Sequence, residues 1–263
     1  MRRLKGMLGR FDEAIVAFSG GVDSTFLAGV AAEVLGDGLV AVTVTAPFIS
    51  KREVEEAKAF AESRGIRHEI VDVDMDAIDH FTVNPPDRCY HCKKAIFAAI
   101  AGAAGKFGID IVMDASNLED ALDYRPGMKA LEELGILSPL REAGLTKEEI
   151  RELSRQRGYP NWDKPSSACL ASRIPYGERI TAEKLGRVEE AEAFLADEGF
   201  AVCRVRSHGD LARIEIAPEM IPRLTERQAR VSVAEKLKGL GFRYVTVDIE
   251  GYRTGSLNES LDL

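Results

Sequence analysis

The sequence predicts an α/β protein: a parallel sheet with helices on both faces, followed by a small α+β domain. Across residues 14–113, short apolar runs alternate with longer segments whose apolar residues recur at helical spacing. A two-glycine turn, Ser19–Ser24, joins the first apolar run to the first helical segment. Alternation of strand and helix produces parallel sheets. We therefore expect an α/β domain over residues 1–177 and a small α+β domain over residues 178–263.

The strands of the first domain are predicted from short runs of apolar residues, many of them β-branched. These runs occupy residues 14–18, 40–44, 68–73 and 109–113. Helices are predicted from longer segments with apolar residues at helical spacing, over residues 25–35, 50–64 and 93–106. A further helix is expected from Thr146, because Thr146 and Glu149 have the spacing of a capping box.

The second domain is predicted from a change of pattern after a break at residues 175–178. Residues 181–197 form a long, charged, amphipathic helical pattern. Alternating apolar and polar residues indicate strands over 202–205, 211–216 and 244–249, with a helix over 227–240 between the last two. Strands and helices in this order are typical of a small α+β domain.

The composition is that of an ordinary globular protein, with 263 residues, 45% hydrophobic and 30% charged. A net charge of −8 argues against a large non-specific nucleic-acid surface, because phosphate binding needs clustered Lys and Arg. No apolar run reaches the length of a membrane span, and the basic N-terminus lacks the apolar core of a signal peptide. We therefore expect a cytoplasmic protein with no membrane partner.

The Ser-Gly-Gly-Val-Asp-Ser sequence of residues 19–24 is typical of an anion site. Two glycines let backbone N–H groups approach an anion closely, and the following helix adds the positive end of its dipole. Ser19 and Ser24 add hydroxyl donors. No Lys stands at the spacing of the common P-loop, and the dinucleotide motif GxGxxG is absent. The sequence therefore predicts a cradle for nucleotide phosphates of a different kind.

Cys89 and Cys92 form a CxxC pair beside a predicted helix start, next to Arg88, Lys93 and Lys94. The helix dipole and these cations favour the thiolate form of both cysteines. CxxC spacing suits a shared metal or cluster, and it equally suits a redox-active disulfide.

Cys169 stands far along the chain among small residues. Three cysteines can hold three irons of a four-iron cluster and leave the fourth iron open to an exogenous ligand such as sulfide. Zinc with His91 as its fourth ligand is an alternative. In a further alternative the CxxC pair is redox-active and Cys169 is a sulfur carrier or nucleophile. Cys203 lies in an alternating strand, and we interpret it as a core residue.

Seven motifs together resemble the LarE family of sulfur transferases, over nearly the whole chain. They are SGGVDS, RCYHCKK, DYRPG, PSSACLASRIPYG, RVR, ARIEI and FRYVTVDIEGYRTG. The first motif is shared with many ATP pyrophosphatases of the PP-loop superfamily, and the later ones single out LarE. The resemblance implies a PP-loop, HUP-like fold for the first domain.

The resemblance also implies the reaction and its cofactors. ATP, with Mg²⁺, adenylates a carboxylate of pyridinium-3,5-biscarboxylic acid mononucleotide, and sulfur then replaces AMP to give a thiocarboxylate. Family members that sacrifice a cysteine sulfur lack the CxxC pair. Others hold a [4Fe–4S] cluster with three cysteines, and Cys89, Cys92 and Cys169 match that pattern. The implied partners are sulfide or another sulfur donor, other enzymes of nickel-pincer cofactor biosynthesis, and further copies of the chain.

Residues implied in ATP binding follow the predicted strands. They are Ser19, Gly20, Gly21, Asp23, Ser24, Thr43, Asn117 and Arg125. Asp23 is expected to hold Mg²⁺ directly or through water, and Asp114 and Asp120 are further candidates, although either carboxylate equally suits a loop cap. Thr43 is expected to line the adenine site. Arg125 is a candidate for phosphate or carboxylate contact, with a surface salt bridge as the alternative.

Residues implied in substrate binding lie mostly in the second domain: Arg173, Arg204, Arg206, Glu215 and Arg253. Arginine is the best bidentate partner for both carboxylates and phosphates, which this substrate carries. Arg204 and Arg206 share one face of a strand by period two. The alternative is that these are solvated surface arginines.

Two rival enzyme classes remain open. A tRNA-thiolating enzyme also joins such an ATP-cleaving domain to cysteines, but the acidic balance and the lack of an RNA-binding appendage make tRNA an unlikely partner. An ammonia-using ligase of the NAD or GMP synthetase kind needs no cysteines. A non-enzymatic ATP-binding protein would bind nucleotide without releasing pyrophosphate.

Overall fold

The structure is a computed structural model that describes residues 1–121, 126–165, 169–253 and 256–257. The chain divides into two compact units. The first comprises Met1–Phe81 and Pro86–Ser167, and the second comprises Thr82–Pro85 and Ala168–Leu263.

A parallel four-stranded sheet forms the centre of the first unit, in the order β3-β2-β1-β4. Its strands are β1 (Ala14–Ala17), β2 (Leu39–Thr45), β3 (Arg67–Asp72) and β4 (Val112–Met113). The helices are α1 (Arg2–Leu8), α2 (Val22–Leu35), α3 (Lys51–Ser63), α4 (Arg88–Phe107), α5 (Pro126–Glu133), α6 (Pro139–Ala143) and α7 (Lys147–Gln156). The predicted α/β class is confirmed.

Strand order places a topological switch point beside β1. Ile15 of β1 pairs with Val40 of β2 on one side and with Val112 of β4 on the other. The chain therefore runs outward from β1 to β3 and then crosses to the opposite side of β1 to form β4. Ligands of open α/β sheets bind where the strand order reverses in this way, at the carboxyl ends of the strands. The loops at Ser19 and Asp114 both begin at these ends.

Helices cover the sheet because alternate residues of β1 and β2 are buried on opposite faces. Ala14 and Val16 belong to one core cluster with α2, whereas Ile15 points the other way and is fully buried. Helix α4 contacts all four strands. A sheet buried on both faces explains why its strands read as continuous apolar runs instead of alternating ones.

Several predicted boundaries were wrong. Helix α4 begins at Arg88 and not at residue 93, because its polar first turn hides the helical period; the N–H of Tyr90 already bonds to Asp87 O at 2.8 Å. Strand β4 covers only Val112–Met113 of the predicted residues 109–113. The short helices α1, α5 and α6 were not predicted. The capping box was confirmed, since the Thr146 and Glu149 side chains each accept from the other's backbone N–H.

The second unit contains a three-stranded mixed sheet in the order β5-β6-β7, antiparallel and then parallel. Its strands are β5 (Cys203–His208), β6 (Leu211–Ile216) and β7 (Tyr244–Val247), and its helices are α8 (Ala182–Asp197), α9 (Ile221–Thr225) and α10 (Arg227–Gly239). Leu195, Ile214 and Leu237 are buried together in its core. The predicted small α+β fold is confirmed.

A short piece from the first half of the sequence belongs to this second unit. Thr82–Pro85 is bonded to the stretch between Ile174 and Ile180. Asn84, which is fully buried, donates its side-chain amide to Ile174 O (3.2 Å), and its backbone carbonyl accepts from Gly177 N–H (3.0 Å). The carbonyl of Thr82 accepts from Ile180 N–H at 2.8 Å. The second unit is thus built from two separate pieces of the chain.

No helix among the described residues is both long enough and apolar enough to cross a bilayer.

Gly29 in α2 makes room for the hydroxyl of Tyr159, which lies where a Cβ would stand. Gly29→Ala is expected to lower the free energy of unfolding by about 1–3 kcal/mol, because overpacking outweighs the better helix propensity of Ala. Gly102→Ala in α4 is the matched control, since a Cβ there meets nothing within 4 Å. It should stabilise the protein by about 0.5–1 kcal/mol. Urea unfolding followed by circular dichroism measures both, and equal stability of the two variants would contradict the close packing.

Candidate active site

The Ser19–Ser24 loop connects β1 to α2 and has a backbone that only glycine adopts easily at one position. Gly20 has φ +71°, and a Cβ there would lie 3.0 Å from Glu53 O and 3.2 Å from Ala57 Cβ of α3. Gly21 is the N-cap of α2. The loop therefore packs tightly against α3 while it presents the first turn of α2.

The donors of this loop point to one place. Ser19 Oγ and Ser24 Oγ are 3.1 Å apart, and the N–H of Gly21 is directed at Ser19 Oγ at 3.4 Å. Ser24 Oγ also lies 3.1 Å from Gly21 O. Two hydroxyls and a backbone N–H at the positive end of a 14-residue helix are groups suited to an anion, and anion binding here stays a prediction.

Asp23, in the first turn of α2, is held by a residue that the sequence did not reveal. Its Oδ2 accepts from Lys147 Nζ at the start of α7, while its Oδ1 is buried without a partner among the described residues. Burial raises the pKa of Asp23, and Lys147 opposes that shift. A buried, unpaired carboxylate oxygen beside the cradle is a suitable Mg²⁺ ligand. The Lys147 contact spans 124 positions of sequence, and no local pattern reveals it.

Thr43 lies at the carboxyl end of β2 and is buried. Its hydroxyl donates to Phe18 O at 2.6 Å and lies 2.7 Å from His68 Nε2. Because the hydroxyl proton is committed to Phe18, His68 must be the donor in the second bond. Burial lowers the pKa of His68. The side chain of Thr43 thus fixes the end of β1, and its adenine contact stays a prediction.

The loop after β4 is closed by its own hydrogen bonds. Asp114 accepts from Ser116 Oγ and, at 2.6 Å, from Ser138 Oγ. Asn117 Oδ1 accepts from the N–H groups of residues 119 and 120, and Asp120 Oδ2 accepts from Asn117 N–H at 2.9 Å. These bonds are those of loop caps. The nucleotide contact of Asn117 and the Mg²⁺ candidacy of both aspartates stay predictions, and Arg125 lies outside the described residues.

Cys89 and Cys92 lie in the first turns of α4 and form no disulfide among the described residues. Their spacing of three residues places them on the same side of the helix. Cys89 is exposed and Cys92 is partly buried. His91 Nε2 lies 3.4 Å from Asp87 Oδ2. Among the described residues, no three His, Cys, Asp or Glu side chains are grouped as a metal site.

In the second unit, Cys169 is exposed and precedes a 3₁₀ turn, Leu170–Arg173. Arg173 is 3% exposed and donates to Cys169 O at 3.0 Å. It also forms a bidentate pair with Glu192 of α8, at 2.8 and 2.9 Å. Glu192 in turn accepts from Val205 N–H of β5 at 2.9 Å. This chain of bonds fixes the backbone of Cys169 relative to the small sheet.

Arg206 is held by a carboxylate that is fully buried. Glu215, fully buried on β6, accepts from Arg206 at 3.0 and 2.8 Å and from Arg213 at 2.8 Å. Arg206 also donates to Ser172 O at 2.8 Å and to Ser256 Oγ at 2.9 Å. Two buried arginines, Arg173 and Arg206, are therefore neutralised by carboxylates, and the surface-arginine alternative does not describe them. Their contact with a substrate stays a prediction.

The other two candidate arginines have different surroundings. The Arg204 guanidinium lies 5.2 Å from the ring centroid of Tyr252 and donates to Cys203 O at 2.7 Å. Burial lowers the pKa of Arg204. Arg253 pairs with Glu250 at 2.9 Å. Arg204 thus has an aromatic partner and Arg253 a carboxylate partner. The contact of either arginine with substrate stays a prediction.

Cys203 is buried, as predicted, and its thiol donates to Glu192 O at 3.6 Å. Burial raises the pKa of this thiol to about 12 from an ordinary value of 9.0. The neutral thiol therefore stabilises the fold fully below about pH 9, and that contribution is lost as the pH rises from about 9 towards 12. In reduced, metal-free protein at pH 8, Cys203 should react with Ellman's reagent at least about a hundredfold more slowly than the other cysteines.

A count of rapidly reacting thiols before and after guanidinium unfolding measures this protection. Cys203→Ala should leave the number of rapidly reacting thiols in the native protein unchanged. A rapid native reaction of Cys203 would contradict the burial.

Residues 161–164 form hydrogen bonds with the Ser19–Ser24 loop and with α3, which the sequence did not reveal either. Asn161 donates to Gly20 O at 2.9 Å. Arg151 of α7 donates to Lys164 O at 2.7 Å, and Lys164 Nζ donates to Glu56 of α3 at 2.6 Å. The Asn161–Gly20 and Lys164–Glu56 bonds span 141 and 108 positions of sequence, so only the folded chain reveals them.

Comparisons with known proteins agree with this geometry. Residues 7–94 match the NAD synthase family model. The chain is 43% identical over 261 residues to an uncharacterized protein of Synechocystis sp., covering 99% of this chain and 97% of that one. It is 38% identical over 247 residues to the pyridinium-3,5-bisthiocarboxylic acid mononucleotide synthase of Lactiplantibacillus plantarum, covering 94% of this chain and 89% of that one. It is 30% identical over 206 residues to one subunit of the glutamine-hydrolyzing GMP synthase of Pyrococcus horikoshii, covering 71% of this chain and 64% of that one.

The match to the synthase shows the family, because it extends over both units, whereas the NAD synthase match ends within the first. The hydroxyl and N–H groups of the Ser19–Ser24 loop are of the kind that phosphate binding in such an enzyme requires, and their contact with ATP stays a prediction. The chain belongs to the LarE family of ATP-dependent sulfurtransferases, within the PP-loop ATP pyrophosphatases.

Proposed function

We propose that this protein adenylates pyridinium-3,5-biscarboxylic acid mononucleotide with ATP and converts the activated carboxylate to a thiocarboxylate. The observation that carries this proposal is the 38% identity, over 94% of the chain, to a synthase named for the bisthiocarboxylic product. The cradle and the buried arginine pairs of the second unit support it. We also propose a cytoplasmic homo-oligomer that works with other enzymes of the same cofactor's biosynthesis.

In the first step, a carboxylate oxygen of the substrate attacks the α-phosphorus of ATP. The bond from that phosphorus to the oxygen bridging to the β-phosphate breaks, and pyrophosphate leaves. The hydroxyls of Ser19 and Ser24 and the N–H of Gly21 would hold the β- and γ-phosphates, where negative charge increases during the step. Asp23 would bind Mg²⁺ through Oδ1, which has no partner among the described residues. Lys147, which donates to Oδ2 of Asp23, would then also interact with the phosphates.

In the second step, a sulfur nucleophile attacks the acyl carbon, and the C–O bond to AMP breaks. Cys89, Cys92 and Cys169 are the residues that would hold a [4Fe–4S] cluster, and the shared helix face of the first two fits such a group. When bound, the cluster would present sulfide at its open iron. The Arg173–Glu192 pair holds the backbone of Cys169 in place. Sacrifice of the Cys169 sulfur is the alternative source.

Substrate recognition is proposed for Arg204, Arg253 and the paired Arg173 and Arg206, with Glu215 holding the last of them. The substrate carries two carboxylates and a phosphate, so its binding requires several cations. Carboxylates keep Arg173 and Arg206 in fixed positions without leaving an uncompensated buried charge.

An ammonia-using ligase is the competing function, because the chain is also 30% identical over 206 residues to the GMP synthase subunit. The two functions share pyrophosphate release and differ in the nucleophile. The cysteines on both units, which a ligase does not need, favour sulfur transfer.

The test is to incubate anaerobically purified protein with Mg·ATP and either the pyridinium mononucleotide or bulk tRNA, supplying sulfide or ammonia in parallel. We expect pyrophosphate release only with the mononucleotide, and a product whose mass shows oxygen replaced by sulfur. A product containing nitrogen would establish the ligase, and thiolated tRNA would establish the other rival.

Iron and acid-labile sulfide assays distinguish the two sulfur sources. The cluster predicts about four irons per chain, lost in each of Cys89→Ala, Cys92→Ala and Cys169→Ala. Sacrificial chemistry predicts iron-free protein in which Cys169 becomes dehydroalanine after turnover.

A further inference from the structure

Asn161 makes two hydrogen bonds beside the phosphate cradle. Its Nδ2 donates to Gly20 O at 2.9 Å and to Thr25 Oγ1 at 2.8 Å. Gly20 precedes the N-cap of α2, and Thr25 lies in the first turns of α2. One side chain, 136 positions away from Thr25 in sequence, therefore links the loop to the helix that follows it.

The orientation of the Asn161 amide is determined by these two bonds. Its Oδ1 is buried and has no hydrogen-bond partner in the part of the chain that the structure describes. Turning the amide over would place Oδ1 against the carbonyl oxygen of Gly20, which is also only an acceptor. The nitrogen must therefore face Gly20.

The bond to Gly20 O sets the direction of the next N–H group. In a trans peptide the C=O and the following N–H point in opposite directions. Because Asn161 holds the Gly20 carbonyl on one side of the loop, the N–H of Gly21 points to the other side, where it meets Ser19 Oγ at 3.4 Å. That side is the anion cradle, which also includes Ser24 Oγ.

The conformation of Gly20 alone does not secure this direction. Glycine at φ +71° has no Cβ to limit rotation of its peptide planes, and atoms of α3 lie 3.0–3.3 Å from the position that a Cβ would take. A hydrogen bond to its carbonyl supplies the missing restraint. Preorganised donors stabilise developing charge because they do not reorient during the reaction.

We propose that Asn161 is a positioning residue of the ATP site, which aims the Gly21 N–H at the phosphates by holding the Gly20 carbonyl. It touches neither nucleotide nor substrate. The role concerns the phosphates alone, so Asn161 variants should lose affinity for phosphate-bearing ligands and keep affinity for the nucleoside. This inference deepens the phosphate-site part of the proposed function and does not depend on the sulfur source.

The experiment compares Asn161→Leu, a neutral change of similar size, with Gln156→Leu. Gln156 is an exposed amide on α7 that donates to Glu152, away from the loop. Calorimetry measures the binding of Mg·ATP, Mg·pyrophosphate and adenosine to full-length protein. Asn161→Leu should weaken ATP and pyrophosphate by the same factor, about tenfold or more, and change adenosine binding less than about twofold. Gln156→Leu should leave all three unchanged.

Wild-type affinity of Asn161→Leu for pyrophosphate would overturn the proposal, and so would a parallel loss of adenosine binding, which indicates a general packing role. Asn161→Ser, smaller and without the amide, allows the same comparison if the leucine variant does not fold. Failure of the wild type to bind either ATP or pyrophosphate would instead overturn the assignment of the cradle itself.

Discussion

Replacing Cys169 by Ala is expected to abolish thiocarboxylate formation, by about a thousandfold or more, while pyrophosphate release with Mg·ATP and the pyridinium mononucleotide continues. The backbone of Cys169 is held by Arg173 through its carbonyl, so the substitution removes the thiol and leaves the turn in place. The phosphate cradle belongs to the other unit of the chain and does not contain this residue. Parallel assays of pyrophosphate and of sulfur in the product measure the separation of the two steps.

Cys203→Ala is the matched control for this experiment. Its thiol is buried and remains neutral, because burial raises its pKa to about 12. The variant should transfer sulfur at the wild-type rate and lose only about 1–2 kcal/mol of stability through the small cavity. If Cys169→Ala retained full thiocarboxylate formation, sulfur transfer would not involve this thiol.

Replacing Gly20 by Ala should remove ATP binding, by about a hundredfold or more, and destabilise the protein by about 2–4 kcal/mol. The new Cβ would lie 3.0 Å from Glu53 O at φ +71°, so the loop must move away from α3. That movement would misdirect the Gly21 N–H and the two serine hydroxyls. Calorimetric titration with Mg·ATP and urea unfolding measure the two losses.

Gly65→Ala is the control that separates the effect of steric overlap with α3 from the energetic cost of placing alanine at a positive φ. Gly65 has φ +62°, and a Cβ there meets nothing within 4 Å. We expect a loss of about 1 kcal/mol with wild-type ATP affinity. Should Gly20→Ala behave like Gly65→Ala, the loop would tolerate displacement and its tight packing on α3 would not matter for ATP.

The fold and the position of the Ser19–Ser24 loop were predictable because their signals are local. Strands β1 and β2 are short apolar runs, and the loop after β1 combines two glycines with two serines in six residues. Even the start of α7 was visible, since a capping box needs only four residues. The polar first turn of α4 and the short helices lacked such signals, so their boundaries were missed.

The partners of the site residues were not predictable, because they come from distant segments. Period two placed Arg204 and Arg206 on one face of β5. Only the pairing register, which puts Glu215 of β6 opposite Arg204, brings that carboxylate within reach of the diagonal neighbour Arg206. Lys147 and Asn161 reach the Ser19–Ser24 loop only after more than a hundred residues of chain have folded. Tertiary contacts of this kind leave no periodic trace in a single sequence.

Because Thr82–Pro85 completes the second unit, no single contiguous stretch of the gene encodes that whole unit. A gene fragment encoding only residues 168–263 would lack Asn84, whose amide and carbonyl bind the backbone from Ile174 to Gly177. A chimaera that exchanges the C-terminal part with a relative must therefore take residues 82–85 from the same parent. Recombination between members of this family is constrained at a point far from the visible boundary.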